Sequence, residues 1–90
     1  MREYLKFYIN GAWVDPVTPK TTAVINPATE AVAGHISMGS AADVDLAVKA
    51  ARSAFASYSQ MSVADRVALL ERIIAEYKIR YNDMAAAITE

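Results

Sequence analysis

The chain has 90 residues, a formal net charge of −1, 54% hydrophobic residues and no cysteine. Without cysteine, the sequence offers no disulfide, no cysteine-ligated zinc and no thiol nucleophile. Positive and negative charges are interspersed and form no basic patch, which argues against a nucleic-acid partner. No apolar run reaches the roughly 18 residues of a membrane-spanning helix, and no signal-peptide core follows the first residues. We therefore expect a cytoplasmic protein without a membrane partner.

The apolar content is high for so short a chain. The hydrophobic fraction of 54% exceeds the usual value of about 45–50%. A chain of this size, however, buries only about 60–65% of its unfolded surface. We therefore expect part of the apolar surface to face a partner or another part of the same protein.

The first strong local signal is a β-hairpin. Two short apolar runs, Phe7–Ile9 and Ala12–Val14, flank Asn10 and Gly11. Both turn residues tolerate a positive φ, so the pair favours the two-residue type I′ turn that joins antiparallel strands. Trp13 is interpreted as a hydrophobic anchor beneath this hairpin.

A second hairpin is predicted to follow the first. Ala23–Ile25 and residues 31–38 read as strands, and Asn26 followed by Pro27 favours a type I turn between them. The alternation of the returning strand assigns its side chains to two faces. One face carries Val32, Gly34, Ile36 and Met38, and the other carries Ala33, His35 and Ser37.

A first amphipathic helix is predicted to begin after Ser40, whose side chain can cap it. Asp43 stands where a capping box has glutamate, and its shorter side chain makes the match partial. Apolar residues recur at helical spacing and form one stripe, made of Val44, Ala47, Val48, Ala51, Phe55 and Tyr58. We expect this helix to end within residues 57–60.

A second amphipathic helix is predicted to begin after Ser62, with Asp65 at the same offset. Its apolar stripe contains Val63, Val67, Leu70, Ile73, Ile74, Tyr77, Tyr81, Met84 and Ile88. A continuous helix would be about 40 Å long, which is longer than most, so we expect a break near Asn82. Residues 84–90 still have a helical pattern, and the sequence there contains no closing Gly, Asn or Pro. This pattern favours a piece of a longer protein.

Few residues are candidates for chemistry. His35 is the only histidine. No nucleophile or second ligand lies at a useful spacing from it, so we interpret it as a packed or solvent-facing residue. The three glycines form neither a dinucleotide-binding nor a phosphate-binding motif. Asp43, Asp45 and Asp65 are explained by their positions at helix starts.

The order of these motifs resembles the amino-terminal segment of the NAD(P)-dependent aldehyde dehydrogenase superfamily. The resemblance covers nearly the whole chain, and it is the ordered set of motifs that makes it specific. The matching stretches are Phe7–Val14, Ile25–Glu30, Ala33–Ile36, Ser40–Val48 with Ala50–Phe55, and a set in the second helix comprising Arg66, Leu69, Leu70, Ile73, Arg80, Met84 and Ala85. One departure is Tyr58, where many members of the superfamily have tryptophan.

The resemblance implies that residues 1–90 form a single amino-terminal α+β fragment, with β-hairpins in 1–39 and helices in 40–90. The full protein would have an α/β aldehyde dehydrogenase-like fold and oxidise an aldehyde to the acid with NAD or NADP, through a cysteine thiohemiacetal. This chain would be inactive alone and bind no cofactor. Its asparagines and glutamates do not match the family's oxyanion asparagine or general base: Asn10, Asn26, Asn82, Glu30, Glu71, Glu76 and Glu90. No catalytic, cofactor-binding or metal-binding residue is assigned here.

The expected partners follow from the apolar helix faces. They would contact the remainder of the same polypeptide or drive self-association, and the resemblance implies a homo-oligomer. The alternative hypothesis is a free-standing helical module that binds other proteins.

Overall fold

The computed structural model describes residues 2–89, which contain five strands and three helices. The strands are β1 (Arg2–Tyr4), β2 (Phe7–Ile9), β3 (Ala12–Val14), β4 (Thr21–Ile25) and β5 (Val32–Ser37). The helices are α1 (Ala41–Tyr58), α2 (Val63–Ile79) and α3 (Tyr81–Thr89). This arrangement confirms the α+β class. The chain divides into one compact unit that ends at Ala56 and another that begins at Ser57.

The first predicted hairpin is confirmed. Strands β2 and β3 pair antiparallel, and Asn10 and Gly11 take φ values of 54° and 76°, as a type I′ turn requires. Tyr8 and Trp13 face each other across the hairpin, with their ring centres 5.2 Å apart in an edge-to-face arrangement. Trp13 is 67% exposed, so the described residues do not bury it as the expected anchor.

The second hairpin is also confirmed, with a longer first strand than predicted. Strands β4 and β5 pair antiparallel, and β4 begins at Thr21. Asn26 organises the turn, because its side-chain Oδ1 accepts a hydrogen bond from the amide of Ala28 at 2.9 Å. The amide of Glu30 donates to the Asn26 carbonyl at 2.7 Å, so the turn is one residue longer than a β-turn, and Glu30 takes a positive φ of 60°.

Strand β1 is the element that the sequence pattern does not predict. It joins the other edge of β5 in a parallel register, which gives a sheet with the order β1-β5-β4. Gly34 makes this approach possible, because a Cβ at that position would overlap the carbonyl oxygen of Arg2. The fold therefore has a parallel strand in addition to the two predicted hairpins.

Each predicted helix start is confirmed. The Ser40 and Asp43 side chains cap each other's backbone, since the Ser40 amide donates to Asp43 Oδ2 at 2.9 Å and the Asp43 amide donates to Ser40 Oγ at 3.4 Å. The capping box is thus complete despite the short aspartate. At α2, the Asp65 amide donates to Ser62 Oγ at 3.1 Å.

The predicted break in the second helix is confirmed and lies at Arg80, so two helices follow α1. The φ of Arg80 is −102° and its ψ is 19°, and its amide is shared between the carbonyls of Glu76 and Tyr77, each at 3.1 Å. Arg80 Nε lies 3.5 Å from Asp83 Oδ2 in the first turn of α3. The helical stripe continues across the break, where the rings of Tyr77 and Tyr81 are 6.2 Å apart.

The described residues form no hydrophobic core. None of the apolar side chains within residues 2–89 is buried, and only Gly34 and Asp43 are. The two apolar helix stripes are therefore open along the described helices. Within the same residues, no helix combines the length and apolarity needed to cross a bilayer.

Candidate functional site

The most highly organised polar group in residues 2–56 is the Asp43 carboxylate. Its Oδ1 accepts a hydrogen bond from the amide of Val17 at 2.9 Å, and its Oδ2 accepts from both the amide and the hydroxyl of Ser40. Asp43 is only 5% exposed, because the loop at Val17 and the cap at Ser40 cover it directly. This carboxylate ties a loop to the start of α1 across 26 positions of sequence.

These contacts favour the charged form of the carboxylate. Donation from the backbone amides of Ser40 and Val17 lowers the pKa of Asp43 below its ordinary value, and the hydroxyl of Ser40 adds to that lowering. Loss of hydration acts in the opposite direction and is outweighed. These hydrogen bonds keep the carboxylate ionised and occupy both of its oxygens. Asp43 is therefore a structural latch that joins the loop at Val17 to the start of α1, rather than a general base.

His35, the only histidine, lies on β5 and is half-buried. Its Nδ1 is 3.9 Å from Oε1 of Glu3, which stands opposite it on β1. This distance allows charge attraction and is too long for a hydrogen bond. The three asparagines lie in structural positions: Asn10 and Asn26 build turns, and Asn82 lies in α3.

Arg66 stabilises the connection between the end of α1 and the start of α2. Its Nη2 donates to the carbonyls of Tyr58 and Ser59, each at 3.3 Å, and its guanidinium carbon lies 5.3 Å from the centre of the Tyr58 ring. These carbonyls belong to the end of α1, where helical partners run out, so Arg66 satisfies them from α2. Tyr58 supplies the aromatic face of this contact.

Within residues 2–89, no three His, Cys, Asp or Glu side chains converge on a position that could hold a metal ion. Glu71 and Glu76 are exposed on α2, and Glu90 lies outside the described residues. The sequence provides no cysteine to act as a nucleophile.

The main feature of the surface is its open apolar area. In residues 2–56, the hairpin turn and the small-residue face of α1 enclose a groove lined by Tyr8, Ile9, Asn10, Gly11, Ala47, Ala50, Ala51 and Ala54. In residues 57–89, a second groove follows the break between α2 and α3 and includes Ile73, Tyr77 and Met84. Apolar area of this extent marks surfaces that contact protein. The described residues can therefore provide contact surface for other protein.

Two contacts of these sites are absent from the sequence predictions. Ser40 and Asp43 were recognisable as a cap from their spacing, but nothing in the pattern identifies Val17 as the third partner. The pairing of Glu3 with His35 depends on the parallel strand β1, which was not predicted. In both cases the partners are distant in sequence and belong to segments with weak local signals.

Comparison with known proteins identifies the family that this chain resembles. The sequence model described as the aldehyde dehydrogenase family matches residues 13–90. A Staphylococcus aureus protein (strain bovine RF122 / ET3-1) named "Putative aldehyde dehydrogenase" is 49% identical over 100% of this chain and 19% of its own length. The protein of the same name in strain MSSA476 is 48% identical with the same coverage, 100% and 19%.

A solved structure gives the same result. A crystal structure of aldehyde dehydrogenase from Bartonella henselae matches 99% of this chain with a TM-score of 0.95 and 43% identity, and the match covers 19% of that chain. This chain therefore spans about a fifth of the length of the relatives that it matches. The same backbone exists there as part of a polypeptide roughly five times as long.

Proposed function

This chain belongs to the aldehyde dehydrogenase family, and we propose that it is the amino-terminal scaffold of an oxidoreductase that converts an aldehyde to the acid. The observation that carries the proposal is the match of residues 13–90 to the family model, together with relatives in which the matched segment is 19% of the protein. The nucleophile and the base of the reaction would come from the remaining sequence, because this chain has no cysteine.

NAD or NADP is the cofactor that the family implies for the whole protein. The residues of this chain do not fit it: the glycines form no phosphate-binding motif, and the groove beside α1 is lined mainly by alanine and other uncharged side chains. A dinucleotide needs backbone amides or cations at its phosphates. Residues outside this chain would therefore bind the cofactor.

The role of this chain in the whole protein would be to pack. Its apolar stripes are open on α1 and α2, as the exposed fractions of Phe55 (56%) and Leu70 (58%) illustrate. Covering such side chains contributes about 25 cal/mol per Å² of apolar area. We propose that the remainder of the same polypeptide covers these stripes and supplies the stability that a core would otherwise provide.

The test is an assay of the full-length protein with a panel of aldehydes and either NAD⁺ or NADP⁺, following the absorbance of the reduced nicotinamide. We expect turnover with one or both cofactors and none from the 90-residue chain under the same conditions. Turnover by the 90-residue chain itself, or no turnover of any aldehyde by the folded full-length protein, would contradict the proposal.

Homo-oligomerisation and a cytoplasmic location are further proposals for the whole protein. The resemblance to the family supports both, and the open apolar surface supports the first. Sedimentation of the full-length protein tests the first, and cell fractionation tests the second. For the 90-residue chain alone, we expect concentration-dependent self-association, and a monomer at high concentration would contradict it.

The free-standing interaction module is the competing hypothesis. The open apolar stripes would suit it as well, but the relatives carry this segment within a much longer protein, which favours the enzyme. Reading the gene beyond Glu90 discriminates the two. A continuing frame that encodes a cysteine and a cofactor-binding segment supports the enzyme, whereas a stop codon supports the module.

A further inference from the structure

The turn of the first hairpin contains a chemically reactive pair of residues. Asn10 and Gly11 are both exposed, and they are the two central residues of the turn between β2 and β3. Asparagine is among the residues that limit the chemical lifetime of a protein. Its side-chain amide carbon can close a ring with the backbone nitrogen of the next residue, and this closure is least hindered when the next residue is glycine.

The chain contains three asparagines, and their surroundings differ. Gly11 offers an unhindered nitrogen, since it has no Cβ and even an added Cβ would meet no atom within 4 Å. Asn26 precedes Pro27, whose nitrogen has no hydrogen to lose, and its Oδ1 accepts a hydrogen bond from a backbone amide at 2.9 Å. Asn82 precedes Asp83 in the helical backbone of α3. Of the three, the asparagine of the hairpin turn is therefore the one best placed to react.

The folded turn delays the reaction without preventing it. The φ values of Asn10 and Gly11, 54° and 76°, belong to a type I′ turn that the β2–β3 ladder holds in place. Ring closure requires the backbone of Asn10 to rotate out of this conformation. Within residues 2–89, β2 and β3 have three residues each and pair only with each other. A ladder this short is marginally stable, so the turn opens locally more often than the whole protein unfolds.

We propose that Asn10 is a site of spontaneous deamidation, for which Gly11 provides the nucleophile. The backbone nitrogen of Gly11 loses its proton and attacks Cγ of Asn10. A bond forms between that nitrogen and Cγ, the Cγ–Nδ2 bond breaks, and ammonia leaves with the proton that Gly11 gave up. Water then opens the resulting succinimide at either carbonyl. Opening at Cγ gives aspartate, and opening at the backbone carbonyl gives isoaspartate, in which the main chain runs through Cγ. The net reaction consumes water and releases ammonia.

The two products affect the hairpin differently. Aspartate accepts a positive φ as asparagine does, so it keeps the turn and adds a negative charge. Isoaspartate adds a methylene group to the main chain, so the turn no longer matches the pairing of Ile9 with Ala12. Both changes occur in the groove where the turn lies beside Ala47 and Ala51 of α1. Deamidation therefore places a charge in a surface that is otherwise suited to contact with apolar protein.

Ageing of the full-length protein in mildly alkaline buffer, followed by peptide mass spectrometry, tests the proposal. We expect Asn10 to convert to the acid at least about tenfold faster than Asn26 or Asn82, a difference of about 1.4 kcal/mol in activation free energy. Fragmentation that distinguishes isoaspartate from aspartate should detect both, because both arise from one succinimide. Conversion of Asn10 no faster than that of Asn82, or aspartate without isoaspartate, would overturn the proposal.

Asn10→Gly is the matched control variant, because glycine accepts the positive φ of the turn and has no side-chain amide. In the wild-type protein, hydrogen exchange of β2 and β3 should increase in proportion to the isoaspartate that accumulates. In Asn10→Gly, the aged protein should match the fresh protein in this segment. An equal increase in the aged variant would contradict the effect on the hairpin, since a change elsewhere in the protein would then be responsible.

Discussion

The hydrogen bonds inside one compact unit of this chain differ in range from those inside the other. In residues 2–56, key hydrogen bonds join distant positions: Asp43 is bonded to the amide of Val17, 26 positions away, and Ser37 to the carbonyl of Leu5, 32 positions away. In residues 57–89, the polar contacts are local, as between Arg66 and the carbonyl of Tyr58, eight positions away. Neither unit buries an apolar side chain among its described residues.

The comparison separates what specifies a shape from what stabilises it. Turns, caps and ladders specify both units, but their net contribution is about 1 kcal/mol per hydrogen bond, against an ordering cost of about 1–2 kcal/mol per residue. The long-range bonds should make residues 2–56 respond as a unit, whereas residues 57–89 should respond turn by turn, as helices in water do. Both would depend on being covered by other protein for most of their stability.

The largest expected effect tests that dependence. Phe55→Ala in the full-length protein should lower the free energy of unfolding by about 3–5 kcal/mol, as truncation of a covered aromatic does. In this chain Phe55 is 56% exposed, and the guanidinium carbon of Arg52 lies 5.5 Å from its ring centre. A loss of this size would therefore require that other protein covers the exposed part of the ring. Denaturant unfolding of the full-length protein measures it.

Lys49→Ala is the matched control on the same helix, because Lys49 is exposed and lies outside the apolar stripe. Its effect should stay within about 0.5 kcal/mol. A loss for Phe55→Ala of less than about 1 kcal/mol would show that the ring remains uncovered, and the scaffold role of the α1 stripe would have to be abandoned.

Sequence alone predicts the parts of both units whose chemistry is local. Asn10 and Gly11 predict their turn because few residues adopt positive φ, and Ser62 predicts its cap because the partner amide is three residues away. The helix break was also predictable, since the stripe is too long for one helix. The position of the break at Arg80 depends on how its amide is shared, which the pattern does not encode.

The contacts that sequence does not predict are those that span the first unit. Strand β1 has only three residues and no apolar alternation, and its register is set by the missing Cβ of Gly34, far along the chain. The distant partner of Asp43 is the backbone amide of Val17, and every residue except proline has such an amide. The family was predicted because its ordered motifs cover most of the chain, whereas the reacting groups could not be predicted from a segment that lacks a cysteine.

A smaller effect is expected when the Asp43 latch is weakened, and it should reach both segments that Asp43 connects. Asp43→Asn retains one acceptor for the Val17 amide but presents an NH₂ group to the Ser40 amide, so part of the latch is lost. We expect the apparent melting temperature of the full-length protein to fall at pH 7. Hydrogen exchange should increase both at Val17 and at the start of α1, because one carboxylate bonds both. An increase confined to α1 would show that the latch does not couple the two segments.

The pH dependence of that loss follows from the lowered pKa of Asp43. The folded-state pKa lies below the unfolded value, so the stabilisation is complete above about pH 4 and is lost as the pH falls through the folded-state value. The difference in melting temperature between the wild type and Asp43→Asn should therefore shrink on acidification. Asp45→Asn, at an exposed position in the same helix, is the matched control and should lower the melting temperature at pH 7 less than Asp43→Asn does.

The smallest effect is expected at the cap of the second unit, and it should remain local. Ser62→Ala removes the acceptor for the Asp65 amide, which typically costs about 1 kcal/mol, whereas Ser62→Asp keeps an acceptor and should lie close to the wild type. If residues 57–89 respond turn by turn, the added hydrogen exchange should be confined to the first turn of α2 and leave α3 unchanged. Exchange that rose equally through α2 and α3 would mean that the second unit is as cooperative as the first. The range of the internal hydrogen bonds would then not determine how far the effect of a lost cap extends along the chain. The protein that covers both units would determine it instead.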